Sequence, residues 1–193
     1  RAGPPREAPQ PRLTAAGACR VSRETITDAC AAIELVHVAS LCHDDTIDEG
    51  SVRRRRPALW TVVGRSAAIH TGDLLLCEAM ELMIQSDNGL NLSSFLSKVR
   101  QVVEGEIRQE FQGRGQSLDQ AECLRMARDK TGPLFAFVAE VCGGADISRR
   151  QALTEAGYLI GAAYQLADDL IDIIGLEDKA GKTLGTDAAR GKF

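Results

Sequence analysis

No uninterrupted apolar run in this 193-residue sequence reaches the roughly 18 to 20 residues that a bilayer span requires, so no stable membrane insertion is expected. The N-terminus also lacks the basic-then-apolar order of a secretory signal, and the sequence reads as cytoplasmic. There is no excess of positive charge: 23 Lys+Arg stand against 27 Asp+Glu, a net charge of −4, which gives no general reason to expect a nucleic-acid partner. The six cysteines, Cys19, Cys30, Cys42, Cys77, Cys123 and Cys142, form no CxxC pair and no metal-ligand spacing. They read as reduced, small packing residues rather than a disulfide framework, because a core of this size does not require staples. Sustained strand-like alternation and solenoid repeats are absent as well, which leaves an all-α chain.

What is present is enough for one domain with a real core, at an ordinary 44% hydrophobic residues. The opening RAGPPREAPQPR holds four prolines in twelve residues, so residues 1–18 read as a mobile arm and 19–193 as a single helical domain. The spacing predicts a first helix from Glu24 to His43, with Ser22 as its N-cap, and a second from Ala67 that SDNG (Ser86 to Gly89) ends. A third is expected from Ser93 to about Glu110. After a loop at Gly113 to Asp119 capped by Ser117, helix resumes over Leu118 to Arg128, and Pro133 fits the first turn of another helix carrying Leu134 to Cys142. The last long helix runs from Arg149 to about Ile174.

Two of these helices carry dense acid. HDDTID sets Asp44, Asp45 and Asp48 within five residues, followed by the arginines Arg53 to Arg56. Alone, such a stretch reads as a solvated helix end and a basic loop. YQLADDLIDIIG changes that, because Asp168, Asp169 and Asp172 repeat the same arrangement in another strongly apolar helix. Residues i and i+4 share a helix face, about 5.4 Å apart, so Asp44 with Asp48 and Asp168 with Asp172 each form a two-carboxylate jaw. The acid between lies about 100° round the helix. Oxygen-only donors at this spacing suit Mg²⁺, which keeps positions open for phosphate oxygens. Two facing jaws would hold several Mg²⁺ ions and through them a diphosphate. Arg53, Arg54, Lys130, Lys182 and Lys192 are candidates to carry the remaining phosphate charge. GKTLGTDAARGK, Gly181 to Lys192, adds glycines where backbone must approach an anion.

In order along the chain, HDDTID followed by RR, the KTG of Lys130 to Gly132, YQLADDLIDIIG and GKTLGTDAARGK resemble the motifs of the trans-isoprenyl diphosphate synthases, or polyprenyl synthetases. HTGDLLLCEAMELM and EGEIRQE resemble intervening segments of that family. The resemblance implies an isoprenoid synthase-type helical bundle around a central cavity, normally a homodimer, that uses Mg²⁺ to join isopentenyl diphosphate to an allylic diphosphate. By the same resemblance, Asp44, Asp45, Asp48, Asp168, Asp169 and Asp172 would serve the metals, and Arg53, Lys130 and Lys182 the allylic diphosphate. Arg54 would touch isopentenyl diphosphate, while Thr131 and Gln165 would lie beside the reacting carbons. His43 is expected to support the metal ligands, His37 to pack, and Trp60 and Tyr164 to be core aromatics.

If the diphosphate sits at Asp44 and Asp48, the growing hydrocarbon passes Ser40 and Ala39, one turn back on the same helix. Both are small, and an isoprene unit is about one turn, roughly 5 Å, in length, so a product of C20 or longer is expected. The sequence departs from the family at three places. Nothing matches the Gly-Gly-Lys-Arg type segment, and the sequence stops one residue after Lys192, so parts of the family's N- and C-terminal regions are expected to be missing. Arg55 also stands where the family has glycine. Two other readings remain: a class I terpene cyclase, disfavoured by the wholly acidic second cluster, and a non-catalytic or regulatory subunit of a heteromeric synthase.

Overall fold

Ser22 opens the first helix as its sequence position predicts, its hydroxyl oxygen accepting the Thr25 N–H at 2.9 Å. The computed structural model describes residues 21–112, 119–175 and 184. The proline-rich arm, Ser117, Lys182 and Lys192 lie outside them. Helix α1 (Arg23–Ile47) buries Ala29, Ala32, Val36, Ala39 and Cys42, a stripe of mostly small side chains at helical spacing. It is followed by a two-stranded hairpin, β1 (Val52–Arg53) and β2 (Arg56–Pro57), and by the short α2 (Leu59–Val63). Helices α3 (Arg65–Gln85), α4 (Leu92–Gln112), α5 (Gln120–Gly143) and α6 (Ile147–Ile174) complete the described architecture. A 3-10 turn at Ser86–Gly89 separates α3 from α4, where the SDNG break was expected.

The main core joins four helices: Ala29, Ala32 and Val36 of α1, Ala79 and Met83 of α3, Phe95 and Val102 of α4, and Leu134, Phe137 and Val141 of α5. Phe95 and Phe137 meet edge to face, their ring centroids 5.4 Å apart. Helix α6 sends no side chain into that cluster. It is instead drawn against α5 by glycines. A Cβ at Gly157 would lie 2.6 Å from the Ala136 Cα, and one at Gly161 would lie 2.6 Å from the Gly132 Cα, so backbone meets backbone along this seam.

Two expectations need correction, and a third is qualified. Helix does not stop before Pro133: α5 is continuous, with this proline fully buried inside it. The missing proline N–H leaves the Asp129 carbonyl without its usual helical donor, an interior cost of about 3 kcal/mol. Burial of both halves of α5 offsets it, Ala127 before the proline and Leu134 and Phe137 after it. The start of α5 is set by Asp119, which forms a capping box with Glu122. Among the described cysteines, all free, only Cys42 is buried, so Cys30, Cys77, Cys123 and Cys142 are not packing residues in this structure. Finally, α1 is long and apolar enough to cross a membrane by length and composition, although no uninterrupted apolar run exists. A third of that stretch is buried, and α1 packs on α3 and α5 as a core helix does.

Candidate active site

The two acidic helices face each other across a cavity of about 310 Å³. From α1 come Asp44 and Asp48, with Ser40, Leu41 and His37 further from the jaw; from α6 come Asp168 and Asp172, with Gln165 and Tyr164. The hairpin contributes Arg53 and Arg54, α5 contributes Lys130, Thr131 and Leu134, and α4 contributes Val102 and Glu106. The i, i+4 pairs therefore line one space, as their spacing predicts.

Asp45, Asp169 and Ala39 do not line it. Asp45 points to the hairpin and is only 5% exposed, with Oδ1 accepting from Arg53 Nε at 3.1 Å and from the terminal guanidinium nitrogen at 2.5 Å. Burial opposes the charge of Arg53, but the Asp45 hydrogen bonds and the carboxylates of Asp45, Asp44 and Asp168 outweigh it and raise the guanidinium above its usual value. Asp45 is thus the anchor of an arginine that reaches the cavity. Asp169 has a comparable relation to Gln165, whose amide nitrogen donates to it at 2.7 Å. That fixes the Gln165 carbonyl toward Thr131, whose hydroxyl donates to it at 2.5 Å. With its hydrogen committed, the Thr131 oxygen keeps acceptor character beside the cavity. Ala39 is fully buried on the α3 side of α1, its carbonyl 3.1 Å from where a Cβ on Gly72 would stand, so Ser40 rather than Ala39 forms the cavity wall.

The supporting residues are placed by similar contacts. His43 Nε2 lies 3.2 Å from the Ile69 carbonyl oxygen and 3.3 Å from Asp73, tying the end of α1 to α3 just before Asp44. Trp60 is no core aromatic: its indole N–H donates to the Gly50 carbonyl at 2.7 Å and pins the loop after α1. Tyr164 is 56% exposed and stands at the cavity edge against Phe135. His37 is part-buried and lines the cavity; burial is the main cause that lowers its pKa from the ordinary histidine value. The hairpin turn is unusual. Arg54 and Arg55 both have positive φ, 50° and 62°, as a two-residue type I′ turn demands, so Arg55 adopts the left-handed conformation without the glycine that suits it. A second, more apolar cavity of about 540 Å³ lies between α1, α5 and α6 and shares His37, Arg54, Thr131, Leu134 and Tyr164 with the first.

Charge defines what the main cavity can hold. Asp44, Asp48, Glu106, Asp168 and Asp172 set five carboxylates against three cations, Arg53, Arg54 and Lys130. A bare polyanion would be repelled on balance. Hard divalent cations would reverse that sign, and the oxygen-only donor set fits them. Among the described residues no three His, Cys, Asp or Glu side chains converge to hold one ion, so the jaws fit ions that take their remaining ligands from a substrate or water. Glu106, which sequence reasoning did not single out, pairs with Lys130 at 3.3 Å from α4.

Fold and cavity together define a class: helical proteins in which facing carboxylate pairs and three cations line one cavity. A solved polyprenyl synthase from Caulobacter crescentus CB15, complexed with calcium and isoprenyl diphosphate, superposes with a TM-score of 0.81 at 32% identity, covering 90% of this chain and 54% of that one. Residues 10–193 match the model of the polyprenyl synthetase family, and the chain belongs to that family. Geranylgeranyl diphosphate synthase of Methanosarcina mazei is 34% identical over 201 aligned positions, covering all of this chain and 62% of the relative. The farnesyl diphosphate synthase of Mycobacterium bovis is 36% identical over 183, covering 91% and 50%. The chain thus spans half to three-fifths of the length of these relatives.

Proposed function

We propose that this chain carries out a Mg²⁺-dependent trans-prenyl transfer, condensing isopentenyl diphosphate with an allylic diphosphate to give a linear polyprenyl diphosphate of C20 or longer. The observation that carries this reading is the pair of aspartate jaws on α1 and α6, opposed across one cavity that also receives Arg53, Arg54 and Lys130. Asp44, Asp48, Asp168 and Asp172 would hold Mg²⁺, which supplies neutralisation of the diphosphate charge when bound. Arg53 and Lys130 bind the allylic diphosphate and stabilise it as the C–O bond breaks with both electrons leaving on oxygen. The double bond of isopentenyl diphosphate then forms the new C–C bond, and loss of a proton to the departing diphosphate restores an alkene. Thr131 and Gln165 present oxygen dipoles to the allylic carbons, which steadies positive charge without a nucleophile able to trap it. Arg54, at the junction of the two cavities, is suited to the second diphosphate. Ser40 supports a long product because a small side chain forms the wall one turn behind Asp44.

Similarity alone does not set the length, since the relatives include both farnesyl and geranylgeranyl diphosphate synthases. We place the protein in the cytoplasm as a homodimer; exposed Leu74 and Ile84 on α3 support the second assignment. Incubation of the chain with Mg²⁺, radiolabelled isopentenyl diphosphate and allylic primers tests the activity. Elongated linear products are expected, abolished by Asp44→Asn or Asp168→Asn. Cyclic hydrocarbon, or turnover only after addition of another subunit, would overturn the reading.

A further inference from the structure

We propose that Glu106 is a positioning residue that restrains the Lys130 ammonium and so keeps diphosphate binding weak enough for release. The inference rests on the reading of this cavity as a diphosphate site. Lys130 Nζ lies 3.3 Å from Glu106 Oε1 and donates to Gln109 Oε1 at 3.3 Å, so both contacts draw the ammonium toward α4. The Lys130 and Glu106 side chains are 25% and 29% exposed, too sheltered for full solvent screening and too open to be locked. The contrast with Arg53 is informative. Its partner Asp45 lies outside the cavity and is almost fully buried, so that pair is a fixed mount. Glu106 instead faces the same space as the carboxylate jaws.

A diphosphate entering between the jaws therefore meets Glu106 in two ways. It competes with Glu106 for one ammonium, and it is repelled by the Glu106 charge. Both effects act on any diphosphate in the cavity, whether substrate or the pyrophosphate left after transfer. A glutamine of the same length would keep a hydrogen-bond acceptor for Lys130 and remove the competition.

The test compares the full chain with Glu106→Gln and Glu106→Asp, titrating inorganic pyrophosphate with Mg²⁺ by calorimetry and measuring steady-state kinetics with an allylic diphosphate. Glu106→Gln is expected to bind pyrophosphate about three- to tenfold more tightly and to lower the allylic KM by a similar factor, the scale of a partly screened ion pair. Glu106→Asp, which keeps the charge, is expected to stay near wild type. In a Lys130→Gln background the same Glu106→Gln change is expected to give a clearly smaller gain, the part that comes from direct repulsion alone. Unchanged or weaker pyrophosphate binding in a Glu106→Gln protein that unfolds at the wild-type temperature would overturn the proposal, as would an equal gain without Lys130. Wild-type chain that binds pyrophosphate but transfers no prenyl group would instead defeat the functional reading and leave this binding relation intact.

Discussion

Replacing Gly161 with alanine should damage the site far more than the fold. A Cβ at this position would lie 2.6 Å from the Gly132 Cα and 2.9 Å from both the Gly132 nitrogen and the Thr131 carbonyl oxygen. All three neighbours are backbone, so no rotamer change relieves the overlap, and α6 must move from α5 by about 1 Å to reach ordinary contact distance. Gln165 stands one turn further along the same face of α6, so the shift acts on its 2.5 Å hydrogen bond with Thr131 and stretches it beyond useful range. Overpacking costs about 1 to 3 kcal/mol, but removing a mid-helix glycine returns about 1 kcal/mol of helix propensity, so the net loss should be no more than about 2 kcal/mol. Misplacing a reacting group by about 1 Å can cost about 100-fold in rate, and a drop in kcat of about 10- to 100-fold is expected. Thermal unfolding and steady-state prenyl transfer on the same preparation measure the two effects. If kcat stays within about twofold of wild type while stability is unchanged or raised, the glycine seam does not position the site as described.

Ser40→Phe should shorten the product toward C15, read by chromatography of the hydrolysed products, whereas Ala39→Phe should chiefly destabilise the α1–α3 contact; unaltered product length in the first would remove Ser40 from the wall. Arg55→Gly should raise stability by about 1 kcal/mol by relieving a left-handed residue at φ 62°, and a lower unfolding temperature would contradict the turn geometry. His37 has its pKa lowered by burial below the ordinary 6.5, so the unfolded chain takes up its proton first and stability falls as pH drops from about 6.5 toward the folded value. Above that range the histidine is neutral in both states and contributes no slope, so His37→Gln should flatten only the acid side of a stability–pH profile; identical profiles would refute the assignment.

Periodicity carried much of this structure in advance. The 3.6-residue repeat was enough to place Asp44 with Asp48 and Asp168 with Asp172, and turn and cap residues such as Ser22 and SDNG bounded helices within a few positions. What periodicity could not show is what waits on the other faces. It placed Asp45 about 100° away from the jaw, but not Arg53 as its partner, because that contact depends on a hairpin with two left-handed arginines. Pro133 misled for the opposite reason: its local signal is a helix start, and tertiary burial overrode it. Glu106 carried a detectable sign, an acid one turn after the apolar Val102 on α4, but only the packing of α4 against α5 reveals that Lys130 is its counterpart. Ala39 was assigned from proximity to Ser40 along the chain, and the α1–α3 packing separates the two.

The pairing of Asp45 with Arg53 means that two adjacent, chemically identical letters fail in different ways. Loss of the charge at Asp44 removes a donor from the cavity and leaves the scaffold standing. Loss of the charge at Asp45 strands a half-sheltered guanidinium and unmoors the hairpin that carries Arg54 as well, so the defect spreads to both proposed diphosphate contacts. Extra Mg²⁺ should therefore partly rescue the first variant and do little for the second, which gives the doublet an asymmetry that no alignment column for aspartate would display.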